Sequence, residues 1–90
     1  MSHVFRDKPK LMARVRRIRG QVEAIERTLE SGDDCLAVLQ LIASVRGAMN
    51  GLMGELIEGH VDHHIVEADT EEARRQGAEE LASILRTYMK

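Results

Sequence analysis

Cys35, the only cysteine of this sequence, and three of its four histidines, His3, His60 and His64, have the chemistry and the placement to hold a transition-metal ion. A nitrogen-rich set with one sulfur suits nickel, cobalt or zinc better than copper(I), which favours thiolates. His60 and His64 are four residues apart, so they share one face of a helix, where two imidazoles can reach one ion. Between Cys35 and His64 there is no proline, and Val38, Ile42, Val45, Met49, Leu52 and Leu56 step by four and three. That is one face of a helix. At a rise of 1.5 Å per residue, Cys35 and His60 on one straight helix stand about 37 Å apart. No single ion touches both, so a shared site requires a second chain lying antiparallel to the first.

The elements that must position these groups are legible around that stretch. Residues 1–6 are expected to be extended. Pro9 suits the first turn of a helix, where its missing N–H costs nothing, and Asp7 suits the cap. Leu11, Val15, Ile18, Val22, Ile25 and Leu29 then form a regular heptad seam. In Ser31-Gly32-Asp33-Asp34, Gly32 fits a helix C-terminus and Asp33 or Asp34 an N-cap. A link this short folds the first two helices back as an antiparallel hairpin. The second helix is expected over about Cys35 to Ile65. Gly47 and Gly51 lie one turn apart on it, which would either let another helix approach closely or only relieve crowding. Asp69 followed by Glu72 has the spacing of a capping box. A third helix follows, with Ala78, Leu81, Leu85 and Tyr88 on one face. The expected class is all-α: a three-helix protomer with a long hairpin and a short third helix, in one domain over residues 1–90. The long seams would stay exposed in a monomer, so self-association is expected.

Folding the chain about Gly32 places the start of the first helix beside the end of the second. His3 then comes near Asp62, and His3, His60 and His64 converge within one chain. A two-fold related neighbour would bring its Cys35 to the cluster. The free amine of Ser2, after removal of Met1, is a further donor. Asp34, Asp62, Glu79 and Glu80 are candidates to orient the imidazoles, and the sequence does not choose among them. His63 faces away from the His60–His64 stripe and is expected in solvent. A lone histidine is usually an ordinary surface or core residue; four donors that one fold brings together are harder to dismiss.

Composition bounds the partners. The chain has 90 residues, 43% hydrophobic and 31% charged, with net charge −2. Aromatics are 2%, namely Phe5 and Tyr88, too few for a base-stacking platform. One cysteine allows no intrachain disulfide and makes a reducing cytoplasm the expected setting. No signal peptide and no unbroken apolar run of membrane-spanning length is evident, so no membrane is expected. The charge is uneven. Arg6, Lys8, Lys10, Arg14, Arg16, Arg17 and Arg19 fall in one stretch with only Asp7 opposing them. Cations usually decorate a solvated helix face. Here Lys10, Arg14 and Arg17 share a stripe, with Arg16 and Arg19 flanking it, all outside the apolar seam. A stripe this dense can follow a phosphate backbone, with Gln21 adding a polar contact. No helix-turn-helix is present, so reading by an inserted recognition helix is not expected. No catalytic serine triad and no strand-borne phosphate loop is legible. A Cys35–His60 nucleophile pair lacks a readable oxyanion hole or pocket, and no enzyme is expected.

Three motifs together, Arg14-Val-Arg-Arg-Ile-Arg-Gly-Gln21, Cys35, and Arg46-Gly-Ala-Met-Asn-Gly-Leu-Met53 followed by His60, resemble the CsoR/RcnR family of bacterial metal- and formaldehyde-responsive repressors over essentially the whole chain. The resemblance implies a homotetramer, a dimer of antiparallel dimers. It implies binding to operator double-stranded DNA in the free form and release when the effector binds. The copper branch has a second cysteine four residues after the histidine, where this chain has His64. The formaldehyde branch, FrmR, begins its mature chain with proline and lacks a histidine at that position. Ser2, His3 and His64 therefore look like the nickel/cobalt branch, RcnR. Two features depart from it: Arg14 to Gln21 is closer to the formaldehyde branch, and Pro9 is unusual.

The expectation is thus a nickel- or cobalt-responsive transcriptional repressor of a metal efflux gene, with zinc as a competing ion. Its expected ligands are Cys35, His60, His64, His3 and the amine of Ser2. Its expected DNA contacts are Lys10, Arg14, Arg16, Arg17, Arg19 and Gln21. One alternative is a formaldehyde-responsive repressor of a detoxification operon in which Cys35 is modified. Another is a cytosolic metal-binding protein without DNA activity.

Overall fold

A computed structural model describes residues 7–32 and 34–88; the expected extended arm, with Ser2 and His3, lies outside them. Three α-helices follow in order, α1 (Lys8–Ser31), α2 (Cys35–Val61) and α3 (Glu71–Tyr88), with a π-helical segment, Asp62–Val66, directly after α2. No strand occurs among the described residues. The described residues form two compact units, 7–53 and 54–88.

The first unit is the helical hairpin. Pro9 sits in the first turn of α1, as its fixed φ favours. Asp7 is the N-cap but makes no side-chain cap bond; its carbonyl instead accepts from the Leu11 N–H at 3.0 Å. α1 ends at Gly32, whose φ of 70° is left-handed, and the Gly32 N–H returns to the Thr28 carbonyl at 3.1 Å. Only glycine adopts that conformation at little steric cost. Asp34 then caps α2: its Oδ1 accepts from the Ala37 N–H at 3.1 Å. The antiparallel register shows in two contacts across the pair. Gln21 Nε2 donates to Ser44 Oγ at 2.9 Å, and Arg14 lies over Gly51. The two residues are seven apart on α1 and their partners seven apart on α2, as helices running in opposite directions require.

Ile18, 9% exposed, is the one buried apolar side chain among the described residues. Leu29, Leu36 and Leu39 are 62%, 62% and 57% exposed, and Val22, Ile42 and Met49 are also open. Two helices can cover only one flank of each seam, so the heptads present apolar surface outward. One expectation needs correction here. Residues Cys35–Val66 are long and apolar enough, by length and composition alone, to cross a bilayer. Arg46 and the glycines interrupt this stretch without making its average polar. A helix that packs against others in a water-soluble bundle meets the same criterion.

The second unit comprises the end of α2, the π segment and α3. The Glu67 N–H bonds the Asp62 carbonyl at 2.9 Å, the i→i+5 closure that defines a π turn. Helical structure therefore reaches Val66, one residue past the expected end, but widens in its last turn. The cap of α3 also differs from expectation. Thr70, not Asp69, occupies the N-cap, its Oγ1 accepting from the Ala73 N–H at 3.0 Å. Position decides: Thr70 immediately precedes the first helical residue, so its oxygen faces the free N–H groups. The expected apolar stripe of α3 is covered only in part, toward its N-terminal half. Gly77 is buried, and Arg74 and Leu81 are half-buried, while Ala78, Leu85 and Tyr88 are exposed. A Cβ added at Gly77 would run into the His64 carbonyl oxygen. The missing side chain is therefore what lets α3 lie directly on the π segment. Arg74 secures the link, donating from Nε to the Ile65 carbonyl at 3.0 Å and from Nη2 to the Ala68 carbonyl at 3.2 Å.

Candidate metal centre and nucleic-acid interface

In the second unit, the widened turn carries His63 and His64, and the last turn of α2 carries His60. The rings of His60 and His64 face each other with centroids 4.7 Å apart and planes 32° from parallel. His60 Nε2 lies 2.9 Å from the Gly77 carbonyl oxygen. A carbonyl has no proton to give, so Nε2 donates and the free lone pair of a neutral ring is on Nδ1. Glu80 Oε1 stands 3.7 Å from the same Nε2, and Glu80 Oε2 accepts from Gln76 at 3.2 Å. Of the carboxylates proposed to orient an imidazole, Glu80 is the one placed near the pair. Asp62 and Glu79 are exposed.

His63 corrects an expectation. Its side chain is only 9% exposed, and Nδ1 lies 3.2 Å from Glu67 Oε1. It lines a recess together with His64, Glu67, Ala68, Asp69 and Ala73. The widened helix turn and the link to α3 enclose it.

In the first unit, Cys35 is exposed and opens α2, beside a mainly apolar hollow lined by Leu29, Val38 and Leu39. The neighbouring Asp34 carboxylate is engaged in capping the helix. Ser2 and His3, named above as ligands, lie outside the described residues. Among the described residues, no three His, Cys, Asp or Glu side chains converge as a metal site. Among the described residues the second unit offers two adjacent imidazoles, and the thiol belongs to the first unit. That donor set fits a borderline ion such as nickel or cobalt, provided further donors come from elsewhere.

The basic residues of α1 divide into two groups. Lys10, Arg16, Arg17 and Arg19 are exposed. Arg14 and Gln21 are half-buried and turn toward α2. The Arg14 guanidinium lies where a Cβ on Gly51 would stand 3.3 Å from Nη1, in a groove formed by Arg17, Ile18, Gly47, Ala48 and Gly51. Gly51 therefore seats an arginine of its own hairpin.

The family model for metal-sensitive transcriptional repressors matches residues 7–87. The chain belongs to this family. Among its relatives, the transcriptional repressor RcnR of Citrobacter koseri is 48% identical over the full length of both chains. An uncharacterized protein in the bioA 5′ region of Serratia marcescens is 60% identical, again over both full lengths. Among solved structures, a glutamate-to-histidine variant of the formaldehyde-responsive regulator FrmR from Salmonella enterica serovar Typhimurium superposes with a TM-score of 0.85. It is 53% identical, covering 93% of this chain and 96% of that one. The chain is thus a metal-sensitive transcriptional repressor of the RcnR/FrmR type, a class that binds DNA and a metal ion and is not a class of enzymes.

Sequence reasoning missed three residues of this repressor's site. Gly77 was legible only as a glycine inside an otherwise strong helix former, the usual mark of a close approach. Arg74 carried no signal beyond its charge. His63 had one in its four-residue spacing to Glu67.

Proposed function

We propose that the protein is a nickel- or cobalt-responsive repressor acting as a single domain over residues 1–90. It holds operator DNA in the metal-free form and releases it on binding the ion, which turns on a metal efflux gene. The observation that carries this reading is the His60–His64 pair, two imidazoles 4.7 Å apart, with no third donor beside them among the described residues. Cys35 of the partner subunit completes the sphere, with His3 and the amine of Ser2 contributed by the arm. That requires an antiparallel dimer, and two dimers form the tetramer. The ion, when bound, supplies the charge and coordination energy that favour the DNA-free state. The chain's own part is to bring distant donors to one point. Lys10, Arg16, Arg17 and Arg19 follow the phosphate backbone from the exposed face of α1. Arg14 and Gln21 join them only if they turn out of the hairpin.

A second reading has support of its own. The FrmR variant is similar in both sequence and fold, and Cys35 is exposed, as a thiol modified by an aldehyde must be. Titration of the purified protein with cobalt, followed by absorbance, tests the first reading. A cobalt–thiolate charge-transfer band with weak d–d absorption supports a six-coordinate site with Cys35 in it. Strong d–d bands would point to a tetrahedral, zinc-like site. Absence of any thiolate band, with release of DNA by formaldehyde, would favour the second reading.

A further inference from the structure

We infer that Gly77 is the positioning residue of the histidine pair: its backbone carbonyl holds His60 as the Nε2–H tautomer, and its missing side chain is what allows the hold. The inference rests on the metal reading above only in its last step, that the freed Nδ1 is the atom an ion takes.

Three observations carry it. His60 Nε2 lies 2.9 Å from the Gly77 oxygen, within normal hydrogen-bond range, and that oxygen can only accept. Glu80, the side chain a search for orienting carboxylates selects first, stands farther off at 3.7 Å and is 49% exposed. At that distance it adds charge near the ring but no directional bond. Thirdly, the contact exists only because position 77 is glycine. A Cβ there meets the His64 carbonyl oxygen, with the His64 carbonyl carbon and Cβ at 2.9 Å each. Two of those atoms are backbone and cannot swing aside, so any side chain pushes α3 off the π segment and takes the Gly77 carbonyl away from His60. One residue thus touches both histidines, His60 through its oxygen and His64 through its bare Cα. Histidines that bind metals commonly donate their other ring N–H to such a partner, and losing it typically weakens metal binding about 10–100-fold.

The test uses the full-length protein. Long-range proton–nitrogen correlation spectra of the metal-free form, taken above the imidazole titration range, read the His60 tautomer directly. An Nε2–H signal is expected, and an Nδ1–H signal would overturn the inference. Glu80→Ala removes the competing acceptor at a position that is 49% exposed. It should leave the tautomer unchanged, whereas its loss would assign the hold to Glu80 instead. Gly77→Ala should mix the tautomers and weaken cobalt binding about tenfold or more while leaving DNA affinity within twofold. Unaltered tautomer and cobalt affinity in that variant would sink the proposal. If Gly77→Ala does not fold, the parent spectrum and Glu80→Ala decide between the same outcomes. Zinc alone, as a diamagnetic probe, should leave the Nε2 proton in place. Should the parent bind neither cobalt nor zinc, the metal reading fails while the tautomer result still judges the role of Gly77.

Discussion

The guanidinium of Arg74 spans the junction between the π segment and α3, its Nε donating to the Ile65 carbonyl at 3.0 Å. The same side chain reaches Ala68 and pairs with Glu71 at 3.1 Å. It therefore satisfies carbonyls that a helix end leaves open. Arg74→Ala should lower stability by about 1–2 kcal/mol, since charged hydrogen bonds contribute more than neutral ones but these are partly solvent-exposed. Arg74→Lys should recover little, because an ammonium lacks the planar fork that serves several acceptors. Thermal melting measures the loss, and amide exchange should accelerate first across residues 62–68.

His64→Leu separates the two effector chemistries. A metal site loses a donor, so release of DNA by nickel or cobalt should fail while the metal-free protein still binds its operator. An aldehyde sensor uses Cys35 and an amine and would respond as before. Cys35→Ala cannot make this distinction because both chemistries need the thiol. DNA release followed by fluorescence anisotropy, with nickel and formaldehyde in parallel, is the measurement. Unchanged nickel release in His64→Leu would remove His64 from the ligand set.

DNA affinity should fall steeply with salt, because each phosphate contact releases counterions. Arg17→Ala should weaken binding to all sequences and reduce the salt slope by about one, with metal binding intact. Arg14→Ala is expected to differ, because that guanidinium packs over Gly51. Its loss should lower the melting temperature as well as the affinity, a pairing absent from Arg17→Ala. Parent-like operator binding by Arg17→Ala at moderate salt would count against the basic face of α1.

The apolar surface predicts assembly. Leu36 and Leu39 are 62% and 57% exposed, more apolar surface than a lone helical hairpin keeps in water. Sedimentation at micromolar concentration should show no large monomer population, with or without metal. Leu36→Glu or Met49→Glu should shift the distribution toward smaller species and weaken cobalt binding in step, since the site draws on two chains. A parent protein that sediments as a clean monomer would leave Cys35 too far from His60 to share an ion.

Several features of this protein were determined by the sequence alone because they depend on neighbours a few residues apart. The two heptad seams, Pro9 in a first turn, Gly32 in a left-handed turn and Asp34 before α2 are local preferences, and a short link leaves a hairpin as the way to pair the helices. The four-residue spacing of His60 and His64 likewise placed both rings on one face. Only the tertiary structure decided what depends on close approach between distant segments. The burial of Gly77 against His64, the His60 bond to the Gly77 carbonyl and the Arg74 bond to Ile65 have no periodic signature, since each joins residues 9 to 17 apart. Arg14 is the sharpest case. Helical periodicity put it on the outer basic stripe, but a long side chain reaches beyond its own face. The vacancy at Gly51, 37 positions later, is what draws it in.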